Sequence, residues 1–116
     1  MPFRTLPVLV VSIQAPLTNG EFADLIDAVA SRPAEHTVGV VVDVTALDVV
    51  DSLAVRTFRD LARLTRLGGA ETVIVGIQPE AWLAITRFGT SLHDVITARD
   101  LQEALAYLER TTKRTG

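Results

Sequence analysis

Ser52 is the residue in this chain best placed to carry a reversible chemical modification. It closes the run Asp43-Val44-Thr45-Ala46-Leu47-Asp48-Val49-Val50-Asp51-Ser52, in which a β-branched apolar stretch gives way to a loop and then to a helical pattern. A serine at a helix start sits beside backbone N–H groups that lack intrahelical partners, at the positive end of the helix dipole, so a phosphate there is locally tolerated. That phosphate would bring about −1.5 to −2 charges at neutral pH next to Asp51 and near Asp48. Arg56, Arg59, Arg63 and Arg66 follow at spacings of three and four. At about 100° per residue they share with Ser52 a sector of about 80°, while Ala54, Phe58, Leu61, Ala62 and Thr65 fall on the opposite side. Phosphoserine could pair with Arg56 one turn on and partly cancel a basic surface able to dock an acidic partner. Helix physics alone leaves a plainer alternative open: Ser52 or Asp51 caps the helix, and the arginines solvate its outer face.

Other chemistry is thin. With no cysteine, thiol catalysis is excluded. His36 and His93 fall in loop or surface positions with no nucleophile or ligand set nearby, which favours solvated side chains. Gly68-Gly69 follows a helix, whereas a phosphate-binding glycine loop follows a strand, so the pair is expected to stop that helix. Asp43, at the end of a buried strand, is where a phosphoaspartate receiver takes its phosphate. The acidic pair that would hold Mg²⁺ after the first strand is replaced by Ser12-Ile13-Gln14-Ala15-Pro16, so Asp43 is expected to hydrogen-bond the loop that follows it. Phe22, Phe58, Trp82 and Phe88 occupy apolar helical positions and are assigned to the core. No catalytic residue, cofactor or metal is assigned.

These residues must be positioned by an alternation of strands and helices. Val8–Gln14 reads as a buried strand ended by Pro16. Thr18 and Glu21 form a capping box for a helix whose inner face is Phe22, Leu25, Ile26 and Val29 and which ends before Pro33. Gly39–Val44 is a continuous apolar run, the mark of an interior strand. A helix is expected over Ser52–Leu67, a strand over Thr72–Ile77, a helix from Pro79 to Gly89 and a short strand near Asp94–Thr97. Asp100 and Glu103 cap a last helix with Leu101, Ala104, Leu105 and Leu108 inward. Such alternation places helices on the faces of a largely parallel sheet, an α/β fold.

The 116 residues, 48% apolar and 22% charged, suit one domain over 1–116, with a core at about 7–110 and a flexible polar tail at 111–116. A net charge of −3 argues against a nucleic-acid partner, which selects for excess Lys and Arg. No run approaches the roughly 18 apolar residues needed to cross a bilayer, and no secretory signal is evident, so no membrane association and a cytoplasmic location are expected.

The strand–loop–Asp51-Ser52–helix arrangement, Leu67-Gly68-Gly69-Ala70, Val75-Gly76-Ile77-Gln78-Pro79-Glu80 and Val11-Ser12-Ile13-Gln14 together resemble the STAS domains of bacterial anti-sigma-factor antagonists. The likeness covers about Pro7 to Leu108. It is most similar to the RsbS branch: Asp51-Ser52-Leu53-Ala54 stands where SpoIIAA-type members tend to have Asp-Ser-Ser-Gly, and RsbR-type members carry threonine at the acceptor position. The resemblance implies a single STAS (SpoIIAA-like) domain, with a mixed sheet of four or five strands, and no catalysis by the domain itself. Only Met1–Leu6 precedes the first apolar strand, which is short for the family's first strand. It implies further that Ser52 is the phosphoacceptor of an RsbT-type switch kinase, which is sequestered while Ser52 is unmodified and released on phosphorylation. Asp48, Asp51, Arg56, Arg59 and Arg63 would form the partner surface. RsbR-type STAS paralogues, and further copies of the chain, would join it in a large stressosome shell that regulates an alternative sigma factor or a related stress output. Two alternatives remain at this point: a free-standing SpoIIAA-type antagonist binding an anti-sigma kinase directly, and a receiver using Asp43.

Overall fold

The computed structural model describes residues 8–31, 38–87 and 95–115. The elements are β1 (Val8–Ser12), α1 (Asn19–Ala30), β2 (Gly39–Asp43), α2 (Ser52–Leu67), β3 (Glu71–Val75), α3 (Pro79–Arg87), β4 (Ile96–Ala98) and α4 (Leu101–Thr115). The strands lie in the order β1-β2-β3-β4, and all three pairings are parallel. Met1–Leu6, on which an added first strand would depend, lies outside the described residues.

Sequential parallel strands joined by right-handed crossovers force the connecting helices onto one face of the sheet. The core is divided accordingly. Val40, Val42 and Ile74 point to the face that carries Phe22 and Val29 of α1, Phe58 and Leu61 of α2, and Ala81 and Ile85 of α3. Val41, Val73 and Val75 point to the opposite face, where, among the described residues, α4 supplies Ala104 and Leu108. Covered on both sides, β2 and β3 carry the unbroken apolar stretches Val40–Val42 and Val73–Val75 for that reason. Phe22 and Phe58 meet edge to face, with centroids 6.3 Å apart and planes at 81°. At Gly39, a Cβ would stand 2.6 Å from Leu108 Cδ1, so the missing side chain lets α4 seat on the sheet.

Local signals account for most of the boundaries. The capping box forms: the Glu21 amide donates to Thr18 Oγ1 at 3.2 Å, and the Thr18 amide donates to Glu21 Oε1 at 2.9 Å. α2 ends at Gly68, and Gly69 follows with φ of 88°, a conformation glycine adopts without a Cβ penalty. Thr65 and Thr72, both buried, share a 2.6 Å hydroxyl hydrogen bond that ties the end of α2 to β3. At α4 the Glu103 amide donates to Asp100 Oδ1 at 2.9 Å.

Three expectations are corrected. Trp82 is 37% exposed: the inward positions of α3 are Ala81 and Ile85, and Trp82 falls about 100° off that line, into a shallow cleft shared with Ile77, Thr97 and Arg99. Leu101 and Leu105 are exposed at 41% and 36%, because α4 meets the sheet along Ala104 and Leu108 with Tyr107 beside them, and the two leucines flank that line. α4 runs to Thr115, with Thr111 Oγ1 donating to the Tyr107 carbonyl at 3.0 Å. His36, His93, Phe88 and Gly89 lie outside the described residues.

Candidate functional site

In a parallel sheet with connecting helices, the carboxyl ends of the strands and the amino ends of the following helices share one edge. Ser52, the first residue of α2, lies on that edge. The loop that delivers it, residues 44–51, is anchored along its length. Val44 extends the sheet, its amide donating to the Val75 carbonyl at 2.9 Å. Leu47 turns back, its amide donating to the Val44 carbonyl at 2.9 Å, and its side chain is 4% exposed. Val50 is 3% exposed. Asp48 and Val49, between these two apolar anchors, point to solvent, Val49 with 67% of its surface open.

Asp51 is the N-cap. Its carboxylate accepts the Ala54 amide at 2.8 Å, and its carbonyl accepts the Val55 amide at 3.0 Å. A capping role for Asp51 leaves the Ser52 side chain unneeded for helix initiation, and Ser52 is exposed. The two openings left by the sequence therefore separate: one residue caps, and the other presents a hydroxyl.

Along the outer face of α2, Arg56, Arg63 and Arg66 are exposed and Arg59 is half-buried, with its Nε withdrawn from solvent. Arg66 also approaches Glu71 Oε1 at 3.8 Å. The inward side holds Ala54, Val55, Phe58, Leu61, Ala62 and Thr65, all buried. At 1.5 Å per residue, Arg56 is about 6 Å along the axis from Ser52 and Arg63 about 16 Å, against a screening length of about 8 Å at physiological salt. A charge added at Ser52 therefore acts on adjacent Asp51 and on Arg56, and only faintly as far as Arg63.

Asp43 has the loop-bonding role expected from its position. Its Oδ1 accepts the Thr45 amide at 2.9 Å and the Thr45 hydroxyl at 2.6 Å. Two further contributors to the loop went unnoticed in the sequence. Gln78 Nε2 donates to the Thr45 carbonyl at 2.7 Å, and Gly76, with φ of 81°, lies so close that a Cβ would stand 1.9 Å from Thr45 Oγ1. The one available signal was their place in Gly76-Ile77-Gln78-Pro79; nothing local announces a contact 33 residues away. Among the described residues, no helix is long and apolar enough to cross a membrane.

Residues 4–105 match the STAS domain family model. The RsbT co-antagonist protein RsbRA of Bacillus subtilis (strain 168) is 33% identical over 76 residues, covering 65% of this chain and 28% of RsbRA. The chain thus spans little more than a quarter of that relative. Among solved structures, a serine-to-glutamate variant of RsbS from Moorella thermoacetica superposes with a TM-score of 0.75 at 27% identity, over 96% of this chain and 95% of the other. A chain of the stressosome, described as a signal integration and transduction hub, gives 0.74 at 28% identity over 95% and 96%.

Proposed function

Because this chain belongs to the STAS domain family, we propose that it is a non-catalytic stressosome antagonist whose hold on a switch kinase is set by the phosphorylation state of Ser52. The observation that carries this reading is the division of labour at the start of α2: Asp51 caps the helix, and Ser52 presents its side chain at the solvent-facing edge. The likeness to RsbS and to a stressosome chain over nearly the full length supports a place in a cytoplasmic hetero-oligomer with RsbR-type STAS paralogues. The likeness to a protein named for RsbT co-antagonism supports an RsbT-type kinase as the partner.

The mechanism is differential binding. In the unmodified state the kinase meets the hydroxyl of Ser52, the carboxylates of Asp48 and Asp51 and, farther along, the basic stripe from Arg56 to Arg63. Transfer of the terminal phosphoryl group of ATP to Ser52 Oγ, with ADP leaving and the hydroxyl proton released, puts a dianion against two carboxylates. Arg56, one turn on, becomes its partner and turns away from the kinase. A loss of about 1.4 kcal/mol of complementarity is already a tenfold weaker complex, which one or two like-charge contacts supply. The protein contributes a rigid acceptor and a charge pattern; the chemistry belongs to the kinase.

Retention of the kinase by immobilised Ser52→Ala and Ser52→Asp variants tests this. Ser52→Ala is expected to hold it as the unmodified protein does and Ser52→Asp to hold it poorly. Equal retention would remove the switch.

A further inference from the structure

We infer that Gln78 is a positioning residue for the acceptor loop, locking it from the neighbouring β3–α3 connection; this rests on the reading of Ser52 given above. The loop leaves the sheet at Val44, and Thr45 is its first residue outside the strand ladder. Every polar group of Thr45 is held: its amide and hydroxyl donate to Asp43 Oδ1 at 2.9 and 2.6 Å, and its carbonyl accepts Gln78 Nε2 at 2.7 Å. The first two bonds are local to the loop. The third joins it to a different connection, and it is the one that can hold the loop against the body of the fold.

The β3–α3 connection is shaped for that contact. Gly76 takes φ of 81°, and a Cβ there would stand 1.9 Å from Thr45 Oγ1 and 3.1 Å from Thr45 Cα, so only glycine lets the two connections lie this close. The Gly76 amide donates to the Ala98 carbonyl at 3.1 Å, which fixes the connection to β4. Gln78 precedes Pro79, the first residue of α3, and a residue before proline is biased away from helical backbone toward extended backbone. Its carbonyl accepts the Trp82 amide at 3.0 Å. The backbone that carries the Gln78 side chain is thus set on both sides, and its amide is a fixed donor for the Thr45 carbonyl.

Beyond Thr45, Leu47 and Val50 are seated in the core and Asp51 caps α2. With Thr45 locked, both ends of the Asp48-Val49 knuckle beside Ser52 are held. A loop released at Thr45 spends part of its time in arrangements the kinase cannot engage, and apparent affinity falls by that competent fraction. Once bound, the loop is in place, so turnover is unaffected.

The 116-residue chain tests this with three variants. Gln78→Ala removes the side chain, Gln78→Glu keeps its length but has no N–H to donate, and Gln78→Arg keeps an N–H donor. Two readouts are combined: hydrogen exchange of the Thr45 and Leu47 amides, and steady-state phosphorylation by the switch kinase with ATP. Gln78→Ala and Gln78→Glu are expected to speed exchange of those two amides about tenfold, with the Phe58 and Leu61 amides inside α2 unchanged. In the kinase assay KM rises several-fold while kcat stays within about twofold. Gln78→Arg is expected to restore both. Unchanged exchange at Thr45 and Leu47, equal acceleration throughout α2, or a Gln78→Arg loop as open as that of Gln78→Ala would each overturn the inference. A wild-type chain that takes no phosphate at Ser52 would overturn the acceptor reading, while the exchange comparison still decides the role of Gln78.

Discussion

The Asp51 carboxylate accepts the Ala54 amide at 2.8 Å, and this single bond separates the two roles that neighbouring Asp51 and Ser52 could have shared. Capping is complete without the serine. Asp51→Ala is therefore expected to lower folding stability by about 1 kcal/mol. Ser52→Ala, at an exposed first helical position, is expected to stay within about 0.5 kcal/mol of the parent. Urea denaturation of both variants measures this. An equal loss for the two would make Ser52 a structural residue.

The arginine stripe has a near and a far part. Arg56 lies within reach of a charge at Ser52, and Arg63 lies about two screening lengths away. Arg56→Glu is expected to weaken kinase binding about tenfold or more and to shrink the difference between unmodified and phosphorylated protein. Arg63→Glu is expected to slow association and flatten its salt dependence while leaving that difference intact. Binding kinetics at two salt concentrations separate the cases; identical behaviour of the two variants would contradict the near–far division.

Gly39 and Leu108 form the contact on which α4 rests, since a Cβ at residue 39 would come within 2.6 Å of Leu108 Cδ1. Gly39→Ala is expected to cost about 1–3 kcal/mol through overpacking. Adding Leu108→Ala should recover part of that loss, so the pair departs from additivity. A strictly additive double variant, measured by urea denaturation, would mean that α4 sits elsewhere.

Assembly size distinguishes a shell component from a free-standing antagonist. The likeness to a stressosome chain leads to the expectation that the protein, mixed with an RsbR-type STAS paralogue, elutes as one very large particle. Light scattering coupled to size exclusion reads this directly. A mixture that remains at monomer or dimer mass favours the free-standing alternative.

Much of the architecture was written in local patterns. α2 runs from Ser52 to Leu67 as its apolar spacing and the Gly68-Gly69 stop require, and the Thr18–Glu21 capping box forms both of its bonds. What escaped was set by tertiary placement. Trp82, Leu101 and Leu105 have the apolar character of core residues, but how far a helix face is covered depends on which line of it meets the sheet, and periodicity resolves that only to within a residue or so. The Gln78–Thr45 bond joins two connections 33 residues apart, and a glutamine before a proline carries no sign of where its amide will reach. At the candidate site, the serine and the arginine stripe were legible because they follow one helix, whereas the choice of Asp51 over Ser52 as the cap came from the structure. The clamp was not legible, because it exists only once β2 and β3 are paired.

The most direct test of the central claim is a titration of the switch kinase with this protein in two preparations, one unmodified and one phosphorylated by that kinase and shown by mass spectrometry to carry its phosphate on Ser52. The predicted result is at least about tenfold weaker binding by the phosphorylated form, equivalent to about 1.4 kcal/mol. Equal affinity of the two preparations, or a phosphate found on another residue, would contradict it.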